Sequence, residues 1–184
     1  MPIRSIIRAI YHYYFRPGPK WLRFTYVVTS FAAIAIVLYG RRKHKGKRWG
    51  ICMTLLVFYA LTVVTSTVLS RFGGTVSEVN TELFWSWKKA LSGSQDGILV
   101  LTENILLLAP IGFLLPLINE CSFKMVLTVF LGFLFSIGIE MSQLLLRRGL
   151  FELDDIMNNT IGVFFGYVAA KMLLMVWNLI QNKR

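Results

Sequence analysis

Chemistry-bearing side chains are scarce in this 184-residue chain. It has two cysteines, Cys52 at the start of an apolar run and Cys121 in a short loop, and nothing in their number or placement suggests a disulfide framework or a zinc site. The two histidines, His12 and His44, lie among basic residues and lack any metal-ligand spacing. No Gly-rich phosphate loop, HExxH or GxSxG is present, so the commoner nucleotide, zinc-protease and hydrolase signatures are excluded. Charge is also sparse, at 16% of residues, and acids number nine against twenty Lys and Arg. What fills the space is apolar: 55% of the chain is hydrophobic, in runs long enough to cross a bilayer. The length suits one bundle of about four to six helices rather than two domains. The net charge of +11 does not imply nucleic acid, because the basic residues cluster in short segments that flank apolar runs.

Three regions follow from the pattern. In residues 1–20, Ile3, Ile6, Ile7, Ile10, Tyr11, Tyr14 and Phe15 share one helical face, with Arg4, Arg8 and Arg16 off it. This predicts a basic amphipathic helix on an anionic membrane surface, ended by Pro17-Gly-Pro19. Residues 21–48 hold a first apolar run, Phe24 to Gly40, and the densest positive cluster, Arg41 to Arg48. By the positive-inside rule that cluster is cytoplasmic. The run is short, about 25 Å of helix. Basic residues flank it on both sides, so it either spans with the amino terminus outside or inserts as a shallow hairpin. Residues 49–184 hold four further runs: Trp49 to Ser70, Gly97 to Pro116, Lys124 to Leu146, and Ile156 to about Trp177. They predict an all-α, up-down transmembrane bundle. Connections 71–96 and 147–155 are then extracytoplasmic and the carboxyl terminus cytoplasmic. Pro110 cannot donate to the Leu106 carbonyl, so a kink or break is expected in the third run. Oligomeric state is left open.

The polar residues converge under this topology. Glu140 lies about 9 Å inside the outer end of its helix and Asn104 about 10 Å deep in its own, while Asn158 and Asn159 occupy the first turn of the last helix. Glu140, Gln143 and Arg147 share one face; so do Asp155, Asn159, Gly162 and Gly166. Gly162 and Gly166 form a small-xxx-small pair that admits a neighbouring helix, expected to be the fourth run. Buried acids and amides in a membrane mark a functional site. The candidate cluster is Asn104, Glu140, Gln143, Arg148, Asp154, Asp155 and Asn159, with Pro110, Gly112, Gly162 and Gly166 serving helix packing. Plainer roles stand beside this one: Asp154 and Asp155 as caps on the last helix, Glu140 as an interhelical hydrogen bond, and Arg147 and Arg148 as headgroup contacts.

One combination carries a resemblance: Glu103-Asn104 through Pro110-Ile-Gly112, then Glu140-xx-Gln143, then Arg148-Gly149-x-Phe151-Glu152-x-Asp154-Asp155-xxx-Asn159-Thr160-x-Gly162-xxx-Gly166. It resembles the VanZ-like family, small bacterial membrane proteins named for one that confers teicoplanin resistance. The resemblance covers about residues 49–178 and maps the family's polar positions onto Asn104, Glu140, Gln143, Asp155 and Asn159. It implies a four-span core in the bacterial cell membrane and a role in glycopeptide tolerance, without naming a reaction. The expected activity is non-enzymatic: an outward-facing polar pocket that binds a lipid headgroup, a lipid-linked cell-wall precursor or a lipoglycopeptide, with no cofactor and no resident metal. Two alternatives remain. In one, Glu140, Asp154 and Asp155 hold a divalent cation and Arg148 clamps a phosphate in an intramembrane lipid enzyme. In the other, Pro110 breaks a helix in a lipid or small-molecule transporter.

Overall fold

A computed structural model describes residues 19–70, 78–118 and 124–182. The expected surface helix therefore lies outside the described residues, except that Pro19 and Lys20 open the first helix. The order is α1 (Pro19–Arg42), α2 (Lys47–Val64) extended by a π-helical turn (Thr65–Leu69), β1 (Val79–Asn80), α3 (Trp85–Leu91), α4 (Gln95–Ile118), α5 (Met125–Leu145), β2 (Phe151–Glu152) and α6 (Leu153–Gln181). Among the described residues, five helices are long and apolar enough to cross a membrane. They include α1, whose 24 residues give about 36 Å of helix because both flanks of the apolar run are helical.

The packing is that of a protein solvated by lipid. Large apolar side chains face outward, Phe31, Val126 and Leu145 among them, while threonines, serines, amides and acids are buried. With lipid outside, small residues and interhelical hydrogen bonds hold the helices together. The closest pair is α4 with α6. A Cβ on Gly162 would collide with the Ile105 carbonyl oxygen, one on Gly166 with that of Ala109, and one on Gly112 with that of Val163. The Gly162 and Gly166 face therefore seats the third expected run, α4, and not the fourth. The fourth, α5, meets α6 through Gly132, whose missing side chain leaves room for the fully buried Val163.

Pro110 does not break α4, which stays helical through both Pro110 and Pro116. The Tyr59 hydroxyl donates to the Leu107 carbonyl (2.9 Å) and ties α2 to this stretch.

Two connections are structured beyond expectation. Residues 78–94 contain α3, which packs on α4, and β1 pairs in parallel with β2 in the register Val79–Phe151 and Asn80–Glu152. The Phe151 N–H donates to the Glu78 carbonyl (2.9 Å), and the Asn80 amide to the Glu152 carboxylate (3.1 Å). These contacts hold the second and fourth connections together at one end of the bundle.

Candidate functional site

The first two turns of α6 are a hub with polar side chains on three walls. At 100° per residue, Asp154 and Asn158 point one way, Asp155 is turned further round, and Asn159 further still. Each direction meets a different element. The Asp154 carboxylate accepts from the Ser86 hydroxyl and from the Ser86 backbone N–H (3.4 Å) of α3. The Asn158 amide donates to both Ser86 Oγ and Asp154 Oδ2 (3.0 Å each), and its oxygen accepts from Trp87 Nε1 (2.8 Å). Asp155 accepts from the Asn104 amide of α4. Asn159 donates to Ser136 Oγ of α5 (2.9 Å).

Glu140 adds the α5 wall by accepting the Glu152 backbone N–H (3.1 Å), just before α6 begins. Gln143 and Arg148 reach across to α2. The Gln143 amide donates to the Thr67 carbonyl (3.3 Å) and the Arg148 guanidinium to the Val68 carbonyl (3.0 Å). These carbonyls belong to the π-helical turn that ends α2, where backbone acceptors lack partners within the helix and a cation is favoured. Thus all seven candidate residues assemble at the end of the bundle where α2 and α5 finish and α6 starts. Five of them, Asn104, Glu140, Gln143, Asp154 and Asn159, are at most 4% exposed, while Arg148 and Asp155 are half-buried.

Several expectations need correction. Arg147 does not continue the Glu140 and Gln143 face, because α5 ends at Leu145. Arg147 takes a left-handed conformation (φ 53°), its N–H bonds the Leu144 carbonyl, and the Arg148 N–H bonds that of Gln143. This is a Schellman cap with an arginine where glycine is customary. It leaves Arg147 exposed and turns Arg148 inward. Asp154 and Asp155 are not caps either; Glu152 holds the N-cap position without a capping side chain, and both aspartates lie within the first turn. The three carboxylates of the cation-site alternative do not converge: Asp154 is held by α3, Asp155 by α4, and Glu140 by the backbone before α6. Among the described residues no group of three His, Cys, Asp or Glu side chains could hold a metal ion.

Other participants escaped the sequence. Ser86 and Trp87 lie about seventy residues before α6 in a stretch that reads as a polar connection, so no periodicity marks them. Ser136 is one hydroxyl in an apolar helix. Glu103, by contrast, stands in the sequence pattern itself, and it is buried at 7% exposure beside Asn104. Outside the spans, Lys88 pairs with Glu82 (2.8 Å), and its hydrogen bond, then its charge, holds the Glu82 carboxyl below the usual carboxylate range.

The cluster has an excess of acceptors. Asp154 Oδ1 and Asn159 Oδ1 are buried and meet no donor among the described residues. Hydroxyl, amide or ammonium hydrogens would satisfy them; a phosphate would not. Sizeable cavities open elsewhere. One, of about 650 Å³, is an apolar groove between α2, α4 and α6 beside Pro110. Another lies at the opposite end of α2.

A family model described as VanZ/LLP1 matches residues 49–175, a span that holds every residue of the cluster. No curated protein and no solved structure matches the chain.

Proposed function

The chain belongs to the VanZ/LLP1 family, and from that membership and its acceptor-rich cluster we propose a non-enzymatic bacterial membrane protein that binds the headgroup of an amphiphile at the outer end of the bundle. The observation that carries the reading is the pair of buried oxygens, Asp154 Oδ1 and Asn159 Oδ1, without donors among the described residues in a cluster built by three spans and α3. A polar group buried without a partner costs about 1–3 kcal/mol, a cost that a donor-rich ligand would remove. Sugar and peptide headgroups are rich in such donors, as in a lipid-linked cell-wall precursor or a lipoglycopeptide. A role in teicoplanin-type resistance follows: the protein would hold the drug or shield its target at the membrane surface. Access requires α3 to part from α6, which means releasing the Ser86–Asp154 and Trp87–Asn158 hydrogen bonds.

The test is drug susceptibility of a deletion strain complemented with wild type, Glu140→Gln or Asp155→Asn at matched surface amounts. Both isosteres can still accept the hydrogen bonds from the Glu152 N–H and the Asn104 amide, so they remove charge with little loss of structure. The expected result is greater sensitivity to lipoglycopeptides in both. Wild-type resistance from both would sink the reading.

A further inference from the structure

The opposite end of the bundle carries a second concave site. A cavity of about 670 Å³ opens between the last turn of α1 and the first two turns of α2. Its walls are apolar, from Ile36 and Val37 on α1 to Ile51 and Leu55 on α2. Its rim carries Arg41, Lys45 and Lys47. These three side chains are exposed, and none is paired with a carboxylate among the described residues. Trp49 flanks the mouth, with its ring against Gly40 and 5.9 Å from that of Tyr39, an arrangement suited to the membrane interface.

We propose that this cavity binds one phospholipid with an anionic headgroup, its phosphate on the Arg41, Lys45 and Lys47 rim and an acyl chain along the Ile36 and Leu55 walls. Charge complementarity selects the headgroup. Three cations without an intervening acid attract a net anion, whereas the ammonium of a zwitterionic lipid would face like charge. The walls select a lipid over a free phosphate ion, which would satisfy the rim and leave the apolar interior unfilled. The site is independent of the polar cluster, which lies at the other end of α2.

Native mass spectrometry of the full chain in detergent tests this. The protein is titrated with phosphatidylglycerol or with phosphatidylcholine of identical acyl chains. Phosphatidylglycerol is expected to bind about tenfold more tightly, the scale set by a few basic side chains at a membrane surface. The triple variant R41Q/K45Q/K47Q should bind the two lipids about equally. Gly50 lines the cavity and has open space at its Cβ position, so Gly50→Leu should fill the site without disturbing the fold. That variant should lose affinity for both lipids while keeping its helical circular dichroism. Unchanged selectivity in the triple variant, or unchanged binding in Gly50→Leu, overturns the proposal. So does displacement of the lipid by inorganic phosphate, which would mark an ion site. A dimer that these variants convert to monomer also overturns it, because the occupant would then be a second copy of the chain.

Discussion

Asp154 and Asp155 are neighbours in sequence and face different parts of the protein. Asp154 is fully buried beneath α3, where one oxygen collects the Ser86 N–H, the Ser86 hydroxyl and the Asn158 amide. Asp155 faces α4, where it accepts from the Asn104 amide. Their substitutions should therefore separate. Asp154→Ala strips three donors of their shared acceptor, and each buried group left unsatisfied costs about 1–3 kcal/mol. A loss of about 3 kcal/mol, or roughly 10 °C in the melting temperature of a chain this size, is expected in detergent. Asp155→Asn should melt within about 1 kcal/mol of wild type, since the asparagine oxygen still accepts from Asn104. Equal melting temperatures for the two variants would show that the α3 contact adds nothing to stability. The exposed Lys88–Glu82 pair is a minor matter by comparison, because water screens it.

Among the elements, α4 and α6 form the tightest contact, and its glycines predict steep effects. Gly166→Val must push the Ala109 carbonyl aside, and Gly162→Leu that of Ile105. Neither obstacle is the end of a flexible side chain, so the helices must separate. Each variant should lose more than about 3 kcal/mol, read as a fall in melting temperature or in folded yield. Gly50→Ala meets open space and gains helix propensity, so it should be neutral or stabilising by up to about 1 kcal/mol. A Gly166→Val protein that melts like wild type would contradict the close approach. The capping of α2 is a smaller effect: Gln143→Ala frees the Thr67 carbonyl and should cost about 1 kcal/mol. The four core spans were legible because apolar run length reports them directly, whereas the extent of α1 was not, because its helix continues into basic flanks. The partner of the Gly162 and Gly166 face was not, because a small-xxx-small pair says that some backbone comes close without saying which. The Asn104, Glu140 and Asp155 neighbourhood was legible from depth alone, while Ser86 and Trp87 were hidden: a seven-residue helix in a polar connection has too few turns to show a period.

At the scale of the whole molecule, the two bundle ends differ in kind. One end holds the buried acids, the β1–β2 pair and α3; the other holds the exposed segment Arg41 to Arg48, which carries no acid. Because β1 pairs with β2, residues 78–94 and 147–152 share one side of the membrane whichever way the bundle sits. We propose that the charge difference sets the orientation. Six Lys and Arg within residues 41–48 favour retention in the cytoplasm, an orientation that would put the polar cluster outside. Single cysteines in a background lacking Cys52 and Cys121 test both statements with a membrane-impermeant thiol reagent on intact cells. Ser92→Cys and Leu150→Cys, at exposed positions of the two paired connections, should label together from outside. Gly46→Cys, in the basic turn, should label only after the membrane is opened. Reversed labelling would turn the bundle over and move the lipid-binding rim to the outer leaflet. Labelling of Ser92→Cys and Leu150→Cys from opposite sides would do more, since it would contradict the β1–β2 pair that joins the two connections.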